Sequence, residues 1–254
     1  TPCGTLFPYT TLFRSWDQAT LNINSALPAY DGYYYRVLVS GFCPEFAYSD
    51  TVQLNLTYSP VIARDPSSQI ICEGETTGFG VDAGITENPQ YQWEISTDNG
   101  NNWADLADTA FYTGTLTDSL VIANAPSRLD DNQYRVRITG DCAGTEYSTV
   151  ALLTVNDRPE FSLQPDDTEV CEGDNAFFTI ATGATTDPVI QWQEWDGSSW
   201  SDAAYAGSNS TTLTVPGVTS GMDGNSYRAY LEGYCTPYIY SDSAILTVWE
   251  EPEI

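Results

Sequence analysis

The sequence contains no histidine and no lysine, and all 8 of its basic residues are arginine. Without these side chains the chain cannot form Ser-His-Asp or Cys-His catalytic groups, Schiff bases or most zinc sites. Among common enzyme designs, paired carboxylates or a calcium-dependent site remain. The 35 acidic residues give a net charge of −27, which argues against nucleic-acid binding because phosphate affinity depends on lysine and arginine.

The sequence also lacks long apolar runs and segments with helical periodicity. No stretch approaches the roughly 18 apolar residues of a membrane span, and no secretory signal opens the chain. We therefore expect no membrane span in this fragment, and we expect any export signal or anchor to lie outside it. Tyrosine, threonine, serine, glycine and aspartate are abundant, which is typical of an extracellular all-β protein.

A repeat of 93 to 99 residues organises the chain. A Cys-Glu-Gly motif begins at Cys72 and again 99 residues later at Cys171. A Tyr-Arg motif begins at Tyr35, Tyr134 and Tyr227, and a cysteine follows each of these motifs. Because each unit consists of short segments with alternating apolar residues, it predicts an all-β sandwich of about seven strands. The predicted domains are a truncated C-terminal half at 1–58 and complete sandwiches at 59–157 and 158–254.

Several motifs resemble those of immunoglobulin-like domains. An aspartate stands four residues before each Tyr-Arg tyrosine, a pattern that resembles the tyrosine corner of that fold. The resemblance implies that the corner tyrosines Tyr35, Tyr134 and Tyr227 pack in the core with Trp93 and Trp192. More narrowly, Val-Cys-Glu-Gly, Gln-Trp, Ser-Thr-Asp-x-Gly and Tyr-Arg-Val together are similar to the tandem repeats of large cell-surface adhesins of Bacteroidota. This resemblance implies a bacterial cell-surface or secreted protein.

The cysteines predict disulfide bonds formed in an oxidising compartment. An immunoglobulin core disulfide needs a cysteine two residues after each corner tyrosine, and valine or alanine stands there instead. We predict the pairs Cys72–Cys142 and Cys171–Cys235, each within one repeat. Closing loops of about 70 residues would stabilise each domain by roughly 4 kcal/mol in the chain-entropy model. Metal-binding thiolates are the alternative, but these spacings, without a CxxC motif or histidine, provide too few ligands.

The beginning of the chain departs from the repeat. Residues 5–15 read like the translation of a sequencing-adapter oligonucleotide, which predicts an artefact of assembling metagenomic reads. The alternative is a genuine pair of strands, because threonine, phenylalanine and tyrosine favour strands. The pairing of Cys3 and Cys43 stays open. A half sandwich would leave an apolar face and unpaired strand edges, which favours self-assembly through completion by another chain.

Outward-facing tryptophans are the candidates for ligand stacking. Strand alternation and hairpin positions place Trp103, Trp195 and Trp200 where their rings can stack on a sugar. The alternative is that sheets favour tryptophan on half-buried faces without any ligand. The segment 96–103 matches an Asp-box hairpin, which we interpret as the turn between two strands of the sandwich.

Calcium is the one cofactor for which the sequence offers candidates. Glu73 and Glu75 recur as Glu172 and Asp174, and carboxylates close in sequence provide the hard oxygen ligands that calcium prefers. The alternative is that these residues form a solvated turn beside each cysteine.

These observations predict a non-enzymatic structural or adhesive repeat region of a bacterial cell-surface or secreted protein. It would act as a spacer between neighbouring repeats and would bind polysaccharide or a partner protein. The alternatives are a carbohydrate-binding module of a secreted glycoside hydrolase and a subunit of a polymerising extracellular fibre.

Overall fold

The computed structural model describes residues 19–42 and 45–250. Cys3, Cys43 and residues 5–15 lie outside these ranges, so the predictions about them stay predictions. The chain divides into two compact units. The first comprises Thr1–Val61, Ile85–Pro89 and Thr139–Thr145, and the second comprises Ile62–Gly84, Gln90–Ile138 and Glu146–Ile254.

The described residues form an all-β structure, as the sequence predicts. Its helical segments are three short 3-10 turns, Pro28–Tyr30, Ser127–Leu129 and Ser220–Met222. Within the described ranges, no helix has the length and apolar character needed to cross a bilayer.

The beginning of the first unit contains two short antiparallel strand pairs. Strand β1 (Tyr34–Tyr35) pairs with β4 (Val52–Gln53), and β2 (Leu38–Ser40) pairs with β3 (Phe46–Tyr48). Val37 and Val39 are 49% and 61% exposed, although the equivalent residues of the second repeat are fully buried. This part of the unit therefore presents an apolar face among its described residues.

The second repeat is a sandwich of two sheets. One sheet has the order β6-β10-β9, and the other has the order β5-β13-β11-β7-β8, with β12 also paired to β11. Strand β5 runs parallel to β13, which places its last residue, Cys72, beside Asn156 at the end of β13. The strands are β5 (Gln69–Cys72), β6 (Thr77–Gly80), β7 (Gln90–Ser96), β8 (Ala104–Asp105), β9 (Tyr112–Thr113), β10 (Ser119–Ile122), β11 (Gln133–Thr139), β12 (Glu146–Tyr147) and β13 (Ala151–Asn156).

The third repeat has the same larger sheet, and its remaining strands form two pairs. Its larger sheet has the order β15-β23-β21-β18-β19, with β22 also paired to β21, and β15 runs parallel to β23. The smaller pairs are β16-β20 and β14-β17. The strands are β14 (Phe161–Leu163), β15 (Thr168–Cys171), β16 (Ala176–Thr179), β17 (Ala181–Thr182), β18 (Val189–Trp195), β19 (Trp200–Asp202), β20 (Thr212–Val215), β21 (Ser226–Glu232), β22 (Ile239–Tyr240) and β23 (Ala244–Trp249). We call the loops 140–145 and 233–238, which join β11 to β12 and β21 to β22, the F–G turns.

Each complete sandwich has one tryptophan at the centre of its core. Trp93 and Trp192 are fully buried, and each indole N–H donates a 2.9 Å hydrogen bond to a backbone carbonyl. A phenylalanine ring stacks on the corner tyrosine in both repeats, at 4.9 Å on Tyr134 and 4.6 Å on Tyr227. These rings fill the space between the sheets because strand alternation turns them inward.

The aspartate of each corner motif fixes the last strand of its repeat. Asp130 accepts a 2.8 Å hydrogen bond from the backbone N–H of Val155, and Asp223 accepts one of 2.9 Å from Val248. In the first unit, an aspartate binds the backbone 25 residues later in the same way. The tyrosine hydroxyls are also satisfied in the complete repeats, through Tyr112 on Tyr134 and through Glu194 on Tyr227. The Tyr35 hydroxyl is the one buried polar side-chain atom without a partner among the described residues.

Candidate functional site: a repeat junction and an aromatic strip

A disulfide bond joins the second repeat to the third. Cys72 ends strand β5 of the second repeat, and Cys235 lies in the F–G turn of the third, 163 residues later. Their Cα atoms are 5.8 Å apart, within the normal range for a disulfide. Cys142 and Cys171 are free thiols.

The predicted pairing within repeats is therefore corrected by the structure. Cys171 lies opposite Trp249 at the end of β23, whereas Cys235 lies in the turn that precedes β22, which begins at Ile239. The start of β22 at Ile239 and the end of β23 at Trp249 are ten residues of extended chain apart, which is about 30 Å. Cys171 and Cys235 therefore cannot bond to each other. Cys72 is bonded to Cys235, so it is not the partner of Cys142.

Arg158 bridges the two repeats beside the disulfide. Its Nε donates a 2.9 Å hydrogen bond to the Glu73 carbonyl in the second repeat, and its Nη1 donates one of 2.6 Å to the Thr236 carbonyl in the third. The Glu75 carboxylate lies 3.9 Å from Nη2. That ion pair is about half exposed, so the two carbonyl contacts position the guanidinium more than the charge pair does.

The linker before Pro159 is also held by the third repeat. Thr186 Oγ1 accepts a 2.9 Å hydrogen bond from the backbone N–H of Asp157. A Cβ at Gly233 would lie 2.8 Å from the Thr186 carbonyl, so the F–G turn approaches this loop closely only because that position is glycine. Burial, followed by the charge of Glu73, raises the pKa of Asp157. The junction therefore combines a covalent bond with backbone contacts on both sides.

The candidate calcium residues take part in the turns beside the cysteines. Glu73 accepts a 3.3 Å hydrogen bond from the backbone N–H of Ser127, and Glu172 accepts one of 2.9 Å from Ser220. Glu75 accepts a 3.0 Å bond from the N–H of Cys72. No group of three or more potential metal ligands comes together in the part of the chain that the structure describes. These contacts favour the structural interpretation, and calcium binding, including at Asp174, stays an untested prediction.

A row of rings, half-buried at one end and exposed at the other, crosses the outer face of the larger sheet in the third repeat. Arg228 lies between the rings of Trp200 and Tyr240, with its guanidinium carbon 4.1 Å and 3.9 Å from their centroids. Trp195 continues the row, 5.8 Å from Trp200. At the other end, Tyr238 lies 5.7 Å from Tyr240 and is 52% exposed. We call this set the aromatic strip, and its members are Trp195, Trp200, Arg228, Tyr230, Tyr238 and Tyr240.

The second repeat has only part of this arrangement. Arg135 lies 4.2 Å from the Trp103 ring and 4.6 Å from the Tyr147 ring. Ser96 and Arg137 stand where the third repeat has Trp195 and Tyr230. In the first unit, an arginine likewise lies 4.0 Å from a tyrosine ring. The arginine–tyrosine contact therefore recurs in every repeat, whereas the second repeat lacks the rings of Trp195, Tyr230 and Tyr238.

This geometry changes the interpretation of the predicted stacking residues. Trp103 and Trp200 are half-buried, and each has an arginine against one ring face, so that face is covered. Trp195 has no such arginine contact among those observed in the described residues. The segment 96–103 forms the predicted hairpin turn, in which Asp98 accepts hydrogen bonds from Ser96 and Asn102. The arginine that follows each corner tyrosine is identified in the sequence, but its contact with aromatic rings was not predicted.

Comparison with known proteins agrees with this fold. No protein-family model matches the chain. Over 172 residues it is 30% identical to endoglucanase C of Cellulomonas fimi, and the alignment covers 67% of this chain and 14% of that protein. Over 189 residues it is 27% identical to neogenin of Mus musculus, and this alignment covers 74% of the chain and 12% of neogenin. The chain thus spans less than a sixth of either relative.

Two solved structures share the fold at low sequence identity. The IG1 and IG2 domains of DIP-gamma align with 76% of this chain and 99% of their own, with a TM-score of 0.57 and 15% identity. A three-domain fragment of titin covers 80% of this chain and 70% of its own, with a TM-score of 0.56 and 14% identity. The expected class is confirmed: the chain carries tandem immunoglobulin-like or fibronectin-type domains.

Proposed function

We propose that this chain is a non-enzymatic spacer and adhesive region of an extracellular protein, in which successive repeats are braced to each other. The observation that carries the proposal is the disulfide between Cys72 and Cys235, which crosses from one repeat to the next. Domains joined by a simple linker are expected to move relative to each other. A covalent bond at the junction, with Arg158 bound to carbonyls on both sides, opposes such motion.

The disulfide chemistry and the motif resemblance support an extracellular location. Disulfide bonds persist in secreted and cell-surface proteins and are rare in the reducing cytosol. The motifs similar to Bacteroidota adhesin repeats support a bacterial surface or secreted protein. Neighbouring repeats of the same chain are then the first partners, and an adhesive surface is the second.

The brace is tested by measuring motion between the second and third repeats. Spin labels are placed on exposed Val150 and Ile245, one in each repeat, by chemistry that does not use cysteine. We expect a narrow distance distribution in the oxidised protein and a broad one in the Cys72→Ser/Cys235→Ser variant. The Cys142→Ser/Cys171→Ser variant is the matched control because it removes only the free thiols. Equal widths in all three proteins would refute the bracing role.

The aromatic strip supports a second function, polysaccharide binding. Neighbouring rings on the outer face of a sheet can stack on sugar rings, and the second repeat lacks the additional rings of the strip. One relative is named an endoglucanase, which favours a carbohydrate-related module. Acidic groups near the strip, such as Glu232 hydrogen-bonded to Tyr230, would orient sugar hydroxyls.

This function is tested with a polysaccharide panel, with and without calcium, using the oxidised full chain. We expect saturable binding that Trp195→Ala and Tyr238→Ala each weaken. Phe177→Ala is the control because Phe177, at 56%, is about as exposed as Tyr238 but lies on β16, outside the larger sheet. Binding lost equally in the control, or no binding by the folded protein, would remove the adhesive role from the strip.

A further inference from the structure

The turn that carries Cys171 is built like the turn that carries Cys72. Both cysteines end a strand that runs parallel to the last strand of the repeat. The glycine two residues after each cysteine has a positive φ, +79° in the second repeat and +91° in the third. The backbone N–H groups of the three residues after each cysteine donate equivalent hydrogen bonds of 2.8–3.1 Å. In the second repeat, Glu73 donates to Asn156, Gly74 to Ala125 and Glu75 to Cys72. In the third, Glu172 donates to Trp249, Gly173 to Val218 and Asp174 to Cys171.

The two turns differ in what their cysteines hold. Cys72 is bonded to the F–G turn of the following repeat, whereas Cys171 is an exposed free thiol. Trp249 lies opposite Cys171 in the strand register and is 58% exposed. The third repeat therefore presents, at the end of β15, the same thiol turn together with uncovered apolar surface.

The linker after the third repeat keeps the spacing of the observed junction. Pro60, Pro159 and Pro252 follow each other at 99 and 93 residues, the periods of the repeat itself. Glu251 stands where the observed junction has Arg158, so the guanidinium bridge would be absent there. In both repeats a proline follows three residues after the strand residue that pairs with the cysteine, Asn156 for Cys72 and Trp249 for Cys171.

We propose that Cys171 bonds to the F–G-turn cysteine of a further repeat of this type that follows on the same chain, so that the disulfide between repeats recurs along the protein. This inference rests on the proposed bracing function and extends it to the end of the third repeat. The partner is defined by its chemistry: an immunoglobulin-like repeat with a free cysteine in its F–G turn, as Cys142 is in the second repeat.

Forming the bond requires an oxidant, which would be a small-molecule disulfide such as oxidised glutathione. The Cys171 thiolate attacks that disulfide and displaces one glutathione thiolate. The partner thiolate then attacks the mixed disulfide at the Cys171 sulfur and displaces the second glutathione. Both cysteine thiols lose their protons, the pair is oxidised by two electrons, and one glutathione disulfide becomes two thiols.

The test adds such a repeat to the complete chain. Residue 254 occupies the repeat position of residue 161, so a copy of residues 162–254 placed directly after it preserves the period. After exposure to oxidised glutathione, we expect alkylation of Cys171 to be lost and a peptide linking Cys171 to the copied Cys235 to appear. The control is the same extended chain with Cys235→Ser in the appended copy, in which Cys171 should be found free or as its mixed disulfide with glutathione, with no linked peptide.

A second extension keeps the test decisive if the first copy does not fold. It appends residues 63–155, whose F–G turn contains Cys142, and folding is checked by resistance to trypsin under native conditions. A folded extension in which Cys171 is still alkylated, or carries glutathione without a linked peptide, would overturn the proposal, as would covalent oligomers formed in place of the bond within the chain. The original bond between Cys72 and Cys235 is read in the same peptide map. If it is present while Cys171 stays free, only this inference fails; if it is absent, the proposed bracing function fails as well.

Discussion

The disulfide between repeats predicts that most of the second and third repeats are shielded from a stretching force. When the chain is pulled from its two ends, the bond between Cys72 and Cys235 transmits the force directly. The chain segment between these cysteines, a sequence separation of 163 residues, cannot be stretched while the bond is intact. At the reach of an extended chain, this segment corresponds to about 540–590 Å of hidden length.

The assay is single-molecule force spectroscopy of the full chain, tethered at its termini. In the oxidised protein, the total unfolding length should fall short of that of the reduced protein by about the hidden length. The Cys72→Ser/Cys235→Ser variant should release the full length without reductant. The Cys142→Ser/Cys171→Ser variant should behave like the oxidised wild type. Equal unfolding lengths with and without reductant would refute the reasoning. Bonds within single repeats would hide two segments of 70 and 64 residues, about 440–480 Å together, so a difference of about four-fifths of the predicted value would indicate them.

Further predictions concern stability, pH and assembly. Removing the bond between Cys72 and Cys235 should lower the free energy of unfolding by up to about 5 kcal/mol in the chain-entropy model, measured by denaturant titration, and an unchanged midpoint would contradict the role of the bond. Hydrogen bonds from the side chain and backbone N–H of Asn102, and then from Ser96, lower the pKa of Asp98. The contribution of this carboxylate to stability is therefore present above about pH 4, the pKa in the unfolded chain, and is lost as the pH falls through the lower pKa of the folded protein. Asp98→Asn should therefore reduce the acid-induced fall of the thermal midpoint in this range, and an identical pH profile would exclude that contribution. If the exposed apolar face of the first unit drives fibre formation, filaments should depend on concentration and disappear after deletion of residues 1–58, whereas a monodisperse monomer would exclude this alternative.

The core could be predicted from the sequence because burial follows local patterns. The two-residue alternation around Tyr134 and Tyr227 identifies the inward face of a strand whatever the rest of the fold does. The same alternation turns Trp93 and Trp192 inward, where they lie between the sheets. The aspartate four residues before each tyrosine belongs to the same local motif, but its hydrogen bond is made with the last strand of the repeat.

The disulfide pairing could not be predicted because it depends on the direction of one strand. The spacing of Cys171 and Cys235 is compatible with a bond inside a repeat as long as the first strand is free to lie anywhere. The parallel pairing of β15 with β23 carries Cys171 to the end of the sheet opposite the F–G turn. Register of this kind is set by long-range contacts and leaves no signature in the spacing of cysteines.

The aromatic strip could be predicted from the sequence only in part. Alternation and hairpin position indicate that Trp200 faces outward, and it does so. The position of the Arg228 guanidinium between two rings depends on the lateral order of three strands, which the sequence does not define. Arg158 was missed for a similar reason, since its partners are backbone carbonyls of two different repeats.

Peptide mapping of the oxidised, unreduced chain tests the bracing of repeats most directly. Trypsin cleaves after arginine but not at the Arg-Pro bond of the linker, so Cys72 falls in peptide 65–128 and Cys235 falls in 229–254. The other two cysteines of the complete repeats remain together in peptide 138–228. The structure predicts that 65–128 is linked directly to 229–254 and that 138–228 is linked to neither. A single product in which both outer peptides are joined to 138–228 would show bonds within repeats and would contradict the account.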